Sequence, residues 1–191
     1  MLVSQLFHES THYFAGFNNQ VLILNEKNGG SLLRPWPTGG YSQPLSGLYG
    51  HTTVYHQAMQ AFYVYGGISY SQNRVKVSNS LYVLHYPSRK WSIIPGNEGR
   101  VSQPYPRAMH GAVGSRSYML IYGGLTDHDW VWQGHGADEL EDRALSLFVY
   151  SCGLWINLEG AKESVSLQAP AMTIDTFTNG DKEDVYLIGK F

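Results

Sequence analysis

The sequence predicts an all-β fold: a partial β-propeller of about three and a half four-stranded antiparallel blades that do not complete a ring. Three observations point there. Short apolar stretches ending in small residues recur along the chain, and in its middle each is followed by an aromatic-bearing stretch and then a Trp. Gly (21) and Tyr (14) are abundant among the 191 residues, as forced turns and half-buried pleated surfaces require. Hydrophobic residues at 43 % against charged residues at 15 % support a packed globule and argue against disorder.

The small-residue stretches are Tyr13-Phe14-Ala15-Gly16, Tyr63-Val64-Tyr65-Gly66-Gly67, Leu120-Ile121-Tyr122-Gly123-Gly124 and Tyr186-Leu187-Ile188-Gly189. Their first small residues stand at 15, 66, 123 and 189, so the unit recurs every 51 to 66 residues. A degenerate first blade over 1–48 keeps Ala15 where a glycine is expected, with Val21-Leu22-Ile23-Leu24 leading to Trp36. The second blade, 49–107, begins at Gly50-His51-Thr52, passes Gly66-Gly67 and runs through Ser80-Leu81-Tyr82-Val83-Leu84-His85 to Trp91. The third, 108–164, repeats that order from His110-Gly111-Ala112 through Gly123-Gly124 and Ser146-Leu147-Phe148-Val149-Tyr150 to Trp155. Residues 165–191 supply the first half of a fourth blade, with Lys190 in place of the second glycine. Such a set has no way to close by itself and is expected to be part of a longer chain, completed by its remaining blades.

Packing accounts for the recurring residues. Blades stack face to face about 10 Å apart, which calls for bulky side chains between them and small ones where backbones approach. Gly66, Gly67, Gly123 and Gly124 are therefore expected at strained or crowded backbone, and Tyr82, Trp91, Phe148 and Trp155, with Trp36, in the core between blades.

These motifs resemble the kelch repeat over nearly the whole chain. Gly47-Leu48-Tyr49-Gly50-His51-Thr52-Thr53-Val54-Tyr55-His56, then Phe62 to Gly67, then Leu81 to Ser88, resemble more narrowly the kelch region of attractin and related multiple-EGF-like cell-surface proteins. The resemblance implies the extracellular part of a single-pass membrane protein whose propeller binds proteins without catalysis. The alternatives are a cytoplasmic kelch adaptor recruiting substrates to a ubiquitin ligase, or a kelch-type copper radical oxidase. Composition leaves the compartment open. Cys152 is the single cysteine, no Asn-x-Ser/Thr sequon occurs, and no stretch reaches the roughly 18 apolar residues of a membrane span.

Alternating strand direction puts two kinds of connection on two rims of the propeller. Short turns at Gly114–Ser117 and Pro87–Lys90 lie on one; long connections at 37–49, 68–79, 95–109 and 125–143 lie on the other. Long loops on a rigid scaffold are the usual place for binding residues, and Tyr, Trp and Arg the favoured anchors. The candidates for a protein ligand are accordingly Tyr49, Tyr70, Arg74, Arg100, Tyr105, Arg107, Trp130 and Trp132.

The chemistry tested beside this is thin. His128 and His135 stand among carboxylates, but their spacing matches no zinc pattern, and no metal or cofactor is expected. Cys152 near Tyr150 invites the copper reading, which also needs histidines converging on the axis; His51 and His110 are repeat-equivalent strand starts instead. No Gly-x-Ser-x-Gly elbow or phosphate loop occurs, so no catalytic residue is assigned. A net charge of −2 gives no reason to expect nucleic acid, and no direct membrane contact is expected.

Overall fold

The structure, a computed structural model, describes residues 11–15, 21–25, 29–33, 36–37, 48–71, 74–94, 103–126, 145–158, 168–175 and 184–190. All regular structure among them is β. In chain order the strands are β1 (Thr11–Ala15), β2 (Val21–Asn25), β3 (Gly29–Leu33), β4 (Trp36–Pro37), β5 (Leu48–Tyr49), β6 (Thr52–His56), β7 (Ala61–Tyr65), β8 (Ile68–Ser71), β9 (Arg74–Val77) and β10 (Leu81–His85). They continue with β11 (Lys90–Ile94), β12 (Arg107–Ala108), β13 (Gly111–Gly114), β14 (Tyr118–Tyr122), β15 (Leu125–Thr126), β16 (Leu145–Val149), β17 (Leu154–Leu158), β18 (Gln168–Asp175) and β19 (Asp184–Lys190).

Two complete antiparallel blades emerge, β6-β7-β10-β11 and β13-β14-β16-β17, flanked by the three-stranded β1-β2-β3 and the two-stranded β18-β19. The described sheets form no closed ring, as the repeat count predicts. Strand pairing sorts side chains by period two. Across the second blade the rows Thr52–Tyr65–Leu81–Ile94 and Val54–Tyr63–Val83–Ser92 share one face, and Tyr55–Phe62–Leu84–Trp91 the other.

The first of those faces meets the third blade. Val54, Tyr63, Tyr65 and Leu81 pack with Met119, Ile121, Phe148 and Trp155 in one buried core. Aromatic rings dominate it: Tyr65 lies 4.9 Å from Trp155 and Tyr63 4.7 Å from Tyr150, in tilted arrangements that suit ring quadrupoles. On the opposite face Phe62, Val64, Leu84 and Trp91 form a second core, with half-buried Tyr82 packed against it. Trp91 and Trp155, each 8 % exposed, thus occupy corresponding places in the two blades, as expected from the repeat. The innermost strands come closest: a Cβ on Gly114 of β13 would collide with Val54 of β6.

The diglycines carry the repeat at atomic detail. Gly66 and Gly67 have φ of 68° and 93°, and Gly123 and Gly124 have 69° and 93°. The crowding is repeated as well, since a Cβ on Gly67 would lie 2.9 Å from the Cβ of His51, and one on Gly124 2.8 Å from that of His110. His51 and His110 are therefore the wall against which each blade's second glycine turns.

Two expectations are corrected. The strand beside β2 is β3, so the first unit's next strand closes before the chain reaches Trp36. Trp36 instead opens β4, which runs parallel to β11 on the outer edge of the second blade, Trp36 opposite Lys90. The connections expected as loops also contain strands. Residues 68–71 and 74–77 pair as the β8–β9 hairpin, β8 pairs with β5, and β12 pairs with β15. Ile68, Val77 and Ala108 supply the cause, being buried together with Tyr49 against them as a small core of their own.

The turns after β10 and β16 hold one more matched pair, Arg89 at φ 55° and Gly153 at φ 66°. An L-residue there carries about 1–2 kcal/mol of left-handed strain, against about 0.5–1 kcal/mol that glycine's freedom costs when folding. Arg89→Gly is therefore expected to be net stabilising by about 0.5 kcal/mol. Arg89 is exposed, and its backbone bond to Tyr86 O survives the change. A urea-denaturation midpoint that fails to rise would contradict this account of the turn.

Candidate interaction surface

The rim built from the long connections is held together before it can bind anything. Its described parts are Leu48–His51, the β8–β9 hairpin, Gln103–His110 and Gly123–Thr126. Backbone bonds stitch them across the two blades: Gly67 N–H donates to Arg107 O at 2.9 Å, Arg107 N–H to Ser78 O at 3.3 Å, and Met109 N–H to Gly50 O at 2.6 Å. The Gln103 side-chain amide adds a bond to Asn79 O at 3.2 Å. Residues 103–110 thus form a strap that crosses from the second repeat into the third and is bonded back to the second blade.

Beneath the strap the Tyr65 hydroxyl donates to Pro104 O at 3.1 Å and approaches Tyr105 O at 3.4 Å. Arg107 Nε donates to the same Tyr105 carbonyl at 3.3 Å, and its Nη1 to Gly123 O at 3.1 Å. Burial pushes the Tyr65 phenol far up, with the Arg107 cation opposing it, so it stays a neutral donor. With its backbone fixed from below, the Tyr105 side chain projects outward, 51 % exposed.

The other candidates fall in different places. Arg107 was expected to face a partner; it is 1 % exposed, and its guanidinium is turned inward to the two carbonyls above. The physical reason is register: Arg107 stands three residues before His110 as Leu48 stands before His51, on the inward side of β12. Tyr49 is half-buried and packed against Ile68, Val77 and Ala108, a structural position more than a presented one. Tyr70 and Arg74 sit opposite Val75 and Ser71 in the hairpin, their side chains outside the described residues. Arg100, Trp130 and Trp132 lie outside the described residues altogether, as do His128 and His135. Lys76, exposed on β9, is the described cation of this rim that reaches solvent.

The two residues of the pairing considered for copper lie in different surroundings. Cys152 is exposed in the turn, while Tyr150 packs edge-on against His56 at 4.3 Å in the seam between blades. Among the described residues no group of three or more His, Cys, Asp or Glu converges as metal ligands would. No helix among them is long and apolar enough to cross a membrane.

Residues 7–191 match the Attractin/LZTR1 beta-propeller family. The chain is also similar to Multiple epidermal growth factor-like domains protein 8. It is 31 % identical to the Mus musculus protein over 170 residues, 88 % of this chain and 5 % of that one. Identity to the Rattus norvegicus protein is 33 % over 142 residues, 74 % of this chain and 4 % of the relative. With the Homo sapiens protein it is 39 % over 85 residues, 44 % and 3 %. The chain therefore spans 5 % or less of the length of these relatives.

Proposed function

The chain belongs to the Attractin/LZTR1 β-propeller family, and from that premise we propose that it is a non-catalytic protein-interaction scaffold in the extracellular part of a large attractin-like cell-surface protein. Its partner is a protein ligand held on the rim of long connections. The observation that carries this reading is the strap over residues 103–110: an exposed aromatic, Tyr105, on a backbone fixed by a buried phenol and a buried guanidinium. Rigid presentation of a Tyr limits the entropy lost on binding, which is what an interface anchor needs. The similarity to Multiple epidermal growth factor-like domains protein 8 supports the cell-surface setting.

The test is to probe the protein against an array of purified cell-surface ectodomains and to map any binder to a rim. Tyr105→Ala and Lys76→Glu are expected to weaken binding about tenfold or more, as anchor losses do. Lys90→Ala and Arg116→Ala, exposed on the opposite rim and its turns, should leave it unchanged. Binding lost through the second pair and kept through the first would overturn the assignment. Stoichiometric copper with alcohol or sugar oxidation would overturn the non-catalytic part.

A further inference from the structure

The seam between β6 and β13 is closed at each end by a histidine. At the strap rim His110 reaches from the third blade to the second, its Nε2 2.6 Å from Thr52 Oγ1. At the opposite rim His56, ending β6, reaches the other way to the turn after β13, its Nε2 2.8 Å from Arg116 O. Met59 N–H donates to His56 Nδ1 at 3.1 Å, so Nδ1 carries the lone pair and Nε2–H donates to the Arg116 carbonyl. This arrangement needs neutral His56.

His110 is placed to stay neutral too. It is 4 % exposed, and its Nδ1 has no hydrogen-bond partner among the described residues. Its titratable neighbours are Arg107 on its own strap, His51 at the start of the second blade, and Tyr65 on β7 with ring centroids 5.5 Å apart. His56 faces Tyr63 on β7 and Tyr150 in the turn after β16. None of these neighbours is a carboxylate that could compensate an imidazolium.

We propose that the seam between the second and third blades is an acid-sensitive joint, opened by protonation of the buried His110 clasp while each blade keeps its own sheet. Protonated His110 sets a second buried cation beside Arg107. Burial first, then Arg107 and His51, hold its imidazole well below the usual 6.5. Burial likewise lowers His51, against its bond to Leu48 O. The sign follows: the unfolded or opened state takes up protons below pH 6.5 before the closed seam does. Seam stability is therefore fully present above that pH and lost as the pH falls through it. The strap that presents Tyr105 crosses this joint, so its anchoring is released along with the seam.

Hydrogen exchange read residue by residue tests the joint. The seam amides are Gly67, Arg107 and Met109; the internal reference is the β7–β10 ladder. After correction for intrinsic exchange, going from about pH 7.5 to about pH 5 should lower seam protection about tenfold or more. Ladder protection should change by less than about threefold over the same range. A variant, His110→Gln, keeps a hydrogen-bonding group that does not titrate here and should flatten the seam response. Joint loss of ladder and seam protection, or an unchanged response in the variant, would overturn the proposal. Should the variant not fold, the imidazole resonance of His110 in the unmodified protein decides it, because its titration midpoint must coincide with seam opening. Failure of Tyr105→Ala to affect partner binding would leave these exchange results untouched, so the two readings fail separately.

Discussion

Replacing Gly66 by Ala is expected to be among the most damaging single substitutions in the described residues. Two independent effects combine at this position. Its φ of 68° lies in the left-handed region, where a Cβ costs about 1–2 kcal/mol. That Cβ would also be driven into the Arg107 carbonyl oxygen and to 2.9 Å from His110 Cε1. Forcing a group into packed surroundings costs about 1–3 kcal/mol more. Here the obstruction is backbone of the strap, already bonded to Gly67 N–H at 2.9 Å, so it has little room to yield. Less the roughly 0.5–1 kcal/mol of freedom that glycine loses on folding, the total loss is about 1.5–3.5 kcal/mol, a large part of a domain's margin.

Gly153 supplies the control. At φ 66° it has nearly the same conformation, yet nothing lies within 4 Å of the position its Cβ would take. Gly153→Ala should therefore cost only the net conformational part, about 0.5 kcal/mol, as for the reverse change at Arg89. Denaturant melts of the two variants separate strain from crowding. Equal losses would mean that the strap does not press on Gly66 as the structure has it. Exchange at the Met109 amide should rise in Gly66→Ala and stay unchanged in Gly153→Ala.

The comparison also explains how much of the molecule could be read in its sequence. A diglycine ending an apolar strand is conspicuous because no other residue tolerates both its φ and its neighbour, and Trp91 and Trp155 are conspicuous because little else fills the gap between two sheets. Such positions report local demands, and local demands are written in residue type. The rim was harder. Ile68, Val75 and Val77 alternate with polar residues over too short a span to stand out from a loop, and their strand pairing depends on Leu48 and Tyr49 twenty residues away. Arg107 was misplaced for another reason. Charge suggests solvent, whereas its place in the repeat, three residues before the histidine, suggests the position that Leu48 holds in the preceding blade. Aligning the two histidine starts position by position would have exposed the conflict, and the apolar stem of Arg makes such burial feasible.

That buried Arg107 is the second position where a large effect is expected. Arg107→Met keeps the apolar stem of the side chain but removes the guanidinium and every donor. The Tyr105 and Gly123 carbonyls, bonded at 3.3 Å and 3.1 Å, then lose their guanidinium partner inside the seam. A buried acceptor left unmet costs about 1–3 kcal/mol, and a loss of that size is expected from the buried Gly123 bond, since Tyr105 O keeps the Tyr65 hydroxyl at 3.4 Å. Arg107→Lys should recover little of it, since an ammonium is a point donor and cannot span two carbonyls in fixed directions as the planar guanidinium does. Removing the cation has a second consequence that a simple packing defect would lack. Arg107 is one of the groups depressing the His110 imidazole, so its loss should move that titration upward toward 6.5. The seam would then begin to take up protons at a higher pH, and its acid response would narrow, because the gap between closed and opened states is what generates the pH dependence. A lower midpoint with an unshifted His110 resonance would mean that Arg107 acts by packing alone; a shifted resonance ties the rim strap, the buried cation and the histidine clasp into one electrostatic unit.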